Sequence, residues 1–196
     1  MVKSIGVIEV KGIAAAFKIL DEMVKAANIE FAGSEKSLGS GLVSTIIKGN
    51  VSSVKSALLR GRNIAEQYNA RIGEVMLPNP HPELVRLIER KWAGTGVLKR
   101  ERVSVGSIET FGYAGFVAAA DAALKAADVR LARYGTAKGE PGTMGLILIL
   151  RVCGSVEDVK VAVKAGAEQA SKVSEIITCS VNPNLDEQVL QKYIGN

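Results

Sequence analysis

The side chains that could support catalysis or bind a metal are few and lie far apart in the sequence. His81 is the single histidine and stands between two prolines, a setting typical of a turn. Cys153 and Cys179 are isolated within strand-like runs. A structural zinc site needs about four convergent ligands, and a nucleophilic triad needs a base beside its nucleophile. We therefore expect neither a metal site nor an enzyme.

Two glycine-rich segments, residues 37–41 and 137–142, could bind a ligand through the backbone instead of through side chains. Neither segment has the GxxxxGK[ST] pattern or the GxGxxG pattern followed by a helix, which cradle phosphates. Glycine is also the default residue wherever a turn needs a positive φ. From the residues alone, a plain turn and a ligand-contacting loop both remain open.

The chain contains the same unit twice, since residues 105–128 repeat residues 5–28 at a constant spacing. The first-copy residues that recur 100 positions later are Gly6, Ile8, Glu9, Gly12, Ala14, Asp21, Lys25, Ala26 and Ala27. Glu9 and Glu109 are thus copies of one position and not an acid/base pair. We predict one domain over residues 1–92, a linker over 93–102 and a second domain over 103–196.

Composition excludes several classes of protein. No apolar run reaches the ~18 residues of a membrane span. The first residues lack a signal-peptide layout, and isolated cysteines suit a reducing cytoplasm. The net charge of +5 is modest, and its densest basic part is the predicted linker. This pattern favours a solvated connector over a nucleic-acid patch.

Hydrophobic spacing predicts the order βαββαβ in each unit. In the first unit, strands are expected at residues 4–10, 29–36, 42–48 and 71–77. Helices are expected from residue 12, from residue 51 and over residues 82–91. In the second unit, strands are expected at 103–110, 129–136, 144–152 and 175–181, with helices at 112–127 and 156–173. The order predicts an α/β (α+β) fold of two tandem ferredoxin-like domains, each a four-stranded antiparallel sheet with helices on one face.

Two helices carry a pattern that can be checked residue by residue. The first has an apolar stripe at three- and four-residue spacing, made of Ile13, Ala16, Phe17, Leu20, Val24 and Ala27. The buried face of the second is expected to carry Val54, Ala57, Leu58, Ala65 and Tyr68.

Several segments, taken together and in order, resemble a known domain. These are IGVIE, the helix end KAAN, the glycine loop near residue 40, GNVSSVKSAL and LPNPHPEL. The set resembles the bacterial microcompartment shell domain. Two such domains in tandem resemble the trimeric shell proteins, most closely those of propanediol-utilisation compartments.

The resemblance implies a structural tile of a cytoplasmic microcompartment shell. Three chains would form a flat pseudohexamer with a central pore for small metabolites. The partners would be the chain itself, other shell proteins edge to edge and encapsulated enzymes, with no nucleic acid and no membrane. The implied pore-lining residues are Ser37, Leu38, Gly39, Ser40, Ala137, Lys138, Gly139 and Glu140. The implied tile-edge residues are Lys25, Asn28, Asn79, Lys125 and Asp128.

Two departures from the family pattern stand out. The family often has an arginine in the proline-rich segment before the last helix, and here that place holds Asn79 and Pro183, so the edge contact is expected to be weaker. Some members hold an iron–sulfur cluster through one cysteine per chain, at the position of Leu38. Because a cluster needs several convergent thiolates, no cofactor is expected.

Two other functions compete with the shell tile. The first is a metabolite-binding or electron-carrying protein on the same trimeric scaffold; Leu38 argues against electron transfer and leaves metabolite binding open. The second is an RNA-binding protein, which would stack bases on sheet aromatics. The corresponding strand positions hold Ile5, Val7, Val43 and Thr45, with no aromatic pair, so this function is disfavoured.

Overall fold

The computed structural model describes residues 2–36, 41–90, 103–138 and 146–193. The first unit consists of β1 (Ser4–Lys11), α1 (Ile13–Ala26), β2 (Ile29–Glu35), β3 (Leu42–Gly49), α2 (Val51–Gln67), β4 (Arg71–Pro78) and α3 (Pro82–Ile88). The second unit consists of β5 (Ser104–Phe111), α4 (Gly112–Ala126), β6 (Arg130–Lys138), β7 (Leu146–Gly154), α5 (Val156–Ala170), β8 (Ile176–Asn182) and α6 (Glu187–Tyr193).

Each unit folds its four strands into one antiparallel sheet. The strand order is β2-β3-β1-β4 in the first unit and β6-β7-β5-β8 in the second. The central strand β1 pairs with β3 and β4, and β5 pairs with β7 and β8, so the neighbours of each are the two strands joined by the second long helix of the unit. The ferredoxin-like topology predicted from the sequence is therefore confirmed for both units. The prediction that all helices lie on one face is wrong for α3 and α6, because Leu84 and Leu190 pack with the opposite, outer face of their sheets.

The second helix of each unit begins at a side-chain cap. The Asn50 side chain accepts a hydrogen bond from the Ser53 backbone N–H at 2.8 Å. Ser155 Oγ accepts one from the Asp158 N–H at 3.1 Å. Such caps satisfy backbone donors that a helix start leaves unpaired.

The expected buried face of α2 is confirmed except at Tyr68, which lies just past the helix end and is exposed.

The apolar stripe of α1 divides between two surfaces. Ala16, Ile19 and Met23 face the first sheet and are buried. Of these three, only Ala16 belongs to the stripe predicted from the sequence. Its members Ile13, Phe17 and Val24 are exposed, so the prediction was wrong about which side of the helix faces its own sheet. A stripe too wide for one contact indicates a helix that is made to pack on two sides.

The structure corrects one predicted strand boundary and adds one helix that was not predicted. Strand β6 continues to Lys138, which pairs with Leu146, so residues 137 and 138 extend the strand and do not open the loop. Helix α6 was not predicted. Its start is marked by Asp186, whose carboxylate accepts from the Gln188 N–H at 2.9 Å, and its place in the repeat matches α3.

The core runs through both units, because α4 lies between the two sheets. One face of α4 covers its own sheet, and the other covers the outer face of the first sheet. The buried residues of this shared cluster include, from the first unit, Ile5, Val7, Ile46, Val75, Leu77 and Leu84, and from α4, Phe116, Val117, Ala120 and Leu124. The helix face of the first unit has a separate core around Ile8, Ile47, Val54 and Leu58.

Candidate functional site

The junction between the two units is anchored by a buried carboxylate. Glu9 Oε1 accepts hydrogen bonds from the Tyr113 backbone N–H at 2.7 Å and from Ser44 Oγ at 2.6 Å. Burial raises the pKa of Glu9, while the Ser44 hydroxyl and the backbone N–H groups of Tyr113 and Ala114 act in the opposite direction. A carboxylate at the start of α4 also suits the positive end of the helix dipole.

A glycine lets this carboxylate reach the start of α4. Gly112 has φ of +76°, and a Cβ at that position would lie 2.7 Å from Glu9 Oε2. The position therefore needs glycine both for its backbone conformation and for space.

A second polar contact holds the other end of α4 to the first unit. Asp121 Oδ1 accepts from the His81 backbone N–H at 2.7 Å, and Asp121 Oδ2 accepts from Lys125 Nζ at 2.6 Å. The same ammonium group lies 3.5 Å from the Pro78 carbonyl oxygen. Lys125, an implied tile-edge residue, thus contacts the first unit of its own chain.

The face of α4 that meets the first unit has an uncovered copy on α1. Ile13, Phe17 and Val24 stand where α4 carries buried or partly buried residues, and they are 62%, 77% and 47% exposed. At Gly12, which is the copy of Gly112, a Cβ would meet nothing within 4 Å. The first helix thus has the docking face of α4 without a partner.

The outer face of the second sheet is the matching uncovered surface. Val7 opposes Ile46 and Val75 on the covered face of the first sheet. Ser107, opposite Arg151 and Ser180, holds the same place in the second sheet. At one end of this face, Val105 and Cys153 are buried in a cluster with Leu190 of α6. The other residues of the face are partly or fully exposed, namely Ser107, Glu109, Ile147, Ile149, Arg151, Thr178, Ser180 and Asn182.

The implied pore residues lie, in the sequence, at or between the ends of β2 and β3 and of β6 and β7. Ser37, Leu38, Gly39 and Ser40, together with Gly139 and Glu140, fall outside the described residues. Ala137 and Lys138 are in β6, and their side chains also fall outside the described part. The strands on either side hold equivalent places in the two sheets. A pore formed by both segments remains a prediction.

The implied tile-edge residues of the helix ends are exposed. Lys25 Nζ pairs with Asp21 Oδ2 at 2.7 Å on the surface. Asn28 and Asp128 follow the ends of α1 and α4 and are exposed. Their contact with another tile remains a prediction.

The proline-rich segments before α3 and α6 both contain an asparagine with a positive φ at the equivalent position. Asn79 is exposed with φ of +50°, and Asn184 has φ of +51°. The strand registers, in which Ile5 opposes Leu77 and Val105 opposes Asn182, also align Asn79 with Asn184. The alignment of the two copies by sequence placed Pro183 opposite Asn79, one residue before the true equivalent Asn184. The error arises because small insertions change the spacing between the copies.

The remaining reactive groups have local structural roles or stand apart. His81 caps α3, with Nδ1 accepting from the Glu83 N–H at 3.3 Å. Cys153 is buried and Cys179 exposed, and partial burial raises the pKa of both thiols. Within the described residues, no three His, Cys, Asp or Glu side chains gather as metal ligands. No described helix is both long and apolar enough to cross a membrane.

Comparison with known families matches both units. The sequence model of the BMC domain matches residues 4–80 and again residues 104–185. The chain belongs to the BMC domain family. Each match covers one sheet and its two long helices, so both repeats found in the sequence are BMC domains.

Tandem relatives resemble the chain over nearly its whole length. The bacterial microcompartment shell protein PduT of Citrobacter freundii is 29% identical over 194 residues, covering 99% of each chain. The carboxysome assembly protein CcmO of Synechocystis is 30% identical over 193 residues, 95% of this chain, which spans 63% of that relative. A crystal structure of a microcompartments protein from Desulfitobacterium hafniense DCB matches with a TM-score of 0.74 at 28% identity, covering 97% of this chain and 99% of that one.

Proposed function

We propose that the chain is a structural tile of a bacterial microcompartment shell, built as a ring of three copies with six BMC domains. The tile would lie in the shell beside other shell proteins, around encapsulated enzymes. A central pore formed by the β2–β3 and β6–β7 hairpins would pass small metabolites. Family membership and the shell proteins among the relatives support this function.

The observation that carries the proposal is the unequal covering of two equivalent faces. Inside one chain, α4 packs on the outer face of the first sheet, with Glu9 at its start. Helix α1 and most of the outer face of the second sheet are the equivalent surfaces in the other copy, and they are exposed, although Ser107, Arg151 and Ser180 make the second sheet more polar. If one copy places α1 on the second sheet of the next, the internal junction is repeated between chains, and a head-to-tail contact of this kind can close into a ring.

The oligomeric state tests this proposal. Three chains of 20.7 kDa give a particle of about 62 kDa. Light scattering at micromolar concentration should report that mass, and electron microscopy should show six-sided discs or sheets. A stable monomer at the same concentration would refute the ring.

The pore loop of the second domain leads to a prediction about charge. If Lys138 and Glu140 both reach the axis, each forms a ring of three like charges, and rings at different depths act separately within a Debye length of about 8 Å. Glu140→Gln should leave the Lys138 ring unopposed and increase anion flux through assembled shells at low salt. High salt should reduce the gain. An unchanged flux at both salt concentrations would show that these residues do not line the pore.

Leu38 leads to a prediction about cofactors. The wild-type protein purified without oxygen should be colourless, since no thiol stands at position 38. Leu38→Cys should allow three thiolates to meet at the axis and bind iron and sulfide after reconstitution. The visible spectrum and iron content of the two proteins provide the measurement. Stoichiometric iron in the wild type would contradict the prediction.

A further inference from the structure

A cavity of about 440 Å³ lies between the two domains of one chain and is lined by both. The first domain contributes the outer face of its sheet and the end of α3, and the second contributes α4 and β6. The volume is in the range of about 300–1,000 Å³ that is typical of small-molecule sites. Because a single chain supplies these walls, this junction cavity does not depend on ring formation.

One wall of the junction cavity consists of three aromatic side chains in series. The ring centroids of Tyr113 and Phe116 are 5.7 Å apart, and those of Phe116 and Tyr134 are 6.0 Å apart. The repeat and the strand registers place these three opposite Ile13, Ala16 and Ser34 of the first domain. The first domain has the same topology without rings at these positions, so the fold does not require them.

Two charged side chains of the first domain line the same cavity. Glu35 is partly buried at the end of β2, whereas Arg90, just past the end of α3, is exposed. Glu35 Oε1 accepts from the Lys36 backbone N–H at 3.1 Å, and the carboxylate has a further interaction within the chain. A carboxylate accepts about four hydrogen bonds, so these contacts are compatible with a bound ligand.

The negative charge outweighs the positive charge at the aromatic wall. Burial raises the pKa of Tyr113, the charges of Glu35 and Tyr134 raise it further, and Arg90 lowers it to a smaller extent. Glu35 therefore acts on the buried part of the cavity more strongly than Arg90 does. This difference is expected, because solvent screens the charge of an exposed arginine.

We propose that the junction cavity binds a small organic ammonium ion, with the cationic group between Glu35 and the aromatic rings. A cation within about 6 Å of an aromatic centroid is attracted to the face of the ring, most strongly where water is excluded. The carboxylate adds a charge-assisted hydrogen bond. Leu87 and Ile88, which are nearly buried, would contact the alkyl part of the ligand. The chain carries a net charge of +5, so its surface as a whole does not attract cations.

Calorimetric titration of the full chain with tert-butylammonium, and separately with tert-butanol, tests the site. The two probes have nearly the same shape and differ in charge. We expect one ammonium ion to bind per chain, at least about tenfold more tightly than the alcohol. Equal affinity for both probes would show that the cavity selects apolar shape and not charge, which overturns the proposal.

Four variants locate the bound cation. Glu35→Gln removes the carboxylate charge and should weaken binding roughly tenfold. Tyr134→Ser installs the residue of the first domain and should weaken binding by roughly threefold to tenfold, because one aromatic face is lost. Arg90→Gln removes a like charge and should strengthen binding at low salt. Glu30→Gln changes an exposed carboxylate at the start of β2, outside the cavity, and should leave the affinity unchanged.

Two results with these variants would contradict the site. Weaker binding by Arg90→Gln would mean that the ligand is not a cation. Affinity that is unchanged in both Glu35→Gln and Tyr134→Ser would place the ammonium ion elsewhere on the chain.

Light scattering on the same samples separates this site from the proposed tile. A trimer that binds no ammonium ion would overturn the site and leave the tile intact. A monomer that binds the ion would overturn the ring and leave the site intact. Thermal unfolding of the wild type gives an independent readout, since tert-butylammonium chloride should raise the unfolding temperature more than sodium chloride at equal ionic strength. Equal unfolding temperatures in the two salts would also overturn the site.

Discussion

Phe17→Glu is expected to convert the trimer into a monomer that is still folded. Phe17 is 77% exposed, so a glutamate there should change the free energy of unfolding of one chain by about 0.5 kcal/mol or less. At the proposed junction the same side chain would be covered by the next copy, and an unpaired charge is expensive to bury. Losses of about 2 kcal/mol or more are typical when a central interface anchor is removed. Light scattering across a dilution series gives the measurement.

Leu59→Glu provides the matched control for this change. Leu59 is also an exposed apolar residue on a helix of the first domain, and Lys164, its equivalent in α5, is exposed as well. The position thus lies outside the docking face in both copies. The control should remain trimeric. If Phe17→Glu also remains trimeric, α1 does not dock on a neighbouring copy.

Glu9→Ala is expected to destabilise the chain itself. The change leaves the buried Tyr113 N–H and the Ser44 hydroxyl without their acceptor, and a lost partner of this kind costs about 1–3 kcal/mol per buried group. Urea unfolding should show this loss. Glu109→Ala, the same change in the second domain, should leave the unfolding of one chain nearly unaltered and weaken the trimer instead.

The pH dependence separates the charge of Glu9 from its hydrogen bonds. Because burial raises the pKa of Glu9, the folded state binds a proton more tightly than the unfolded state. Stability from this group therefore increases as the pH falls from neutral toward its unfolded value of 4.5. Glu22 behaves in the opposite way, because Lys18 and, to a smaller extent, Arg60 lower its pKa to about 2. Its contribution to stability is therefore lost only as the pH falls below its unfolded value of 4.5.

Glu9→Gln tests this dependence. Between pH 7 and pH 5, the wild type should gain stability relative to the variant, as measured by urea unfolding at both values. A constant difference between the two proteins would show that Glu9 titrates alike in the folded and unfolded states.

Local patterns in the sequence were sufficient for the domain architecture. The repeat and the change of hydrophobic period after Gly12 predicted both sheets and the four long helices, because these elements follow from spacing within short segments. The docking of α4 on the first sheet could not be predicted in this way. It depends on Glu9 meeting the Tyr113 N–H across 104 positions of the chain, and no short segment contains that contact.

The exposed side of the first helix shows the same limit. The stripe containing Phe17 and Val24 was visible in the sequence, but period alone does not distinguish a helix buried on one side from one that packs on two. A comparison of the two copies within the folded chain makes that distinction. Similarly, Arg133 and Arg151 become neighbours only once the register of β6 and β7 is known.

The position of α4 between two sheets has a consequence for the equilibrium of ring assembly. Every second junction of the proposed ring joins two domains of one peptide chain, so it forms at an effective concentration that dilution cannot change, on the order of millimolar when a short linker joins the partners. Ring formation then depends on the third power of the protein concentration, where six separate domains would require the sixth. A tandem chain should therefore complete its rings at expression levels too low for single domains of equal contact strength.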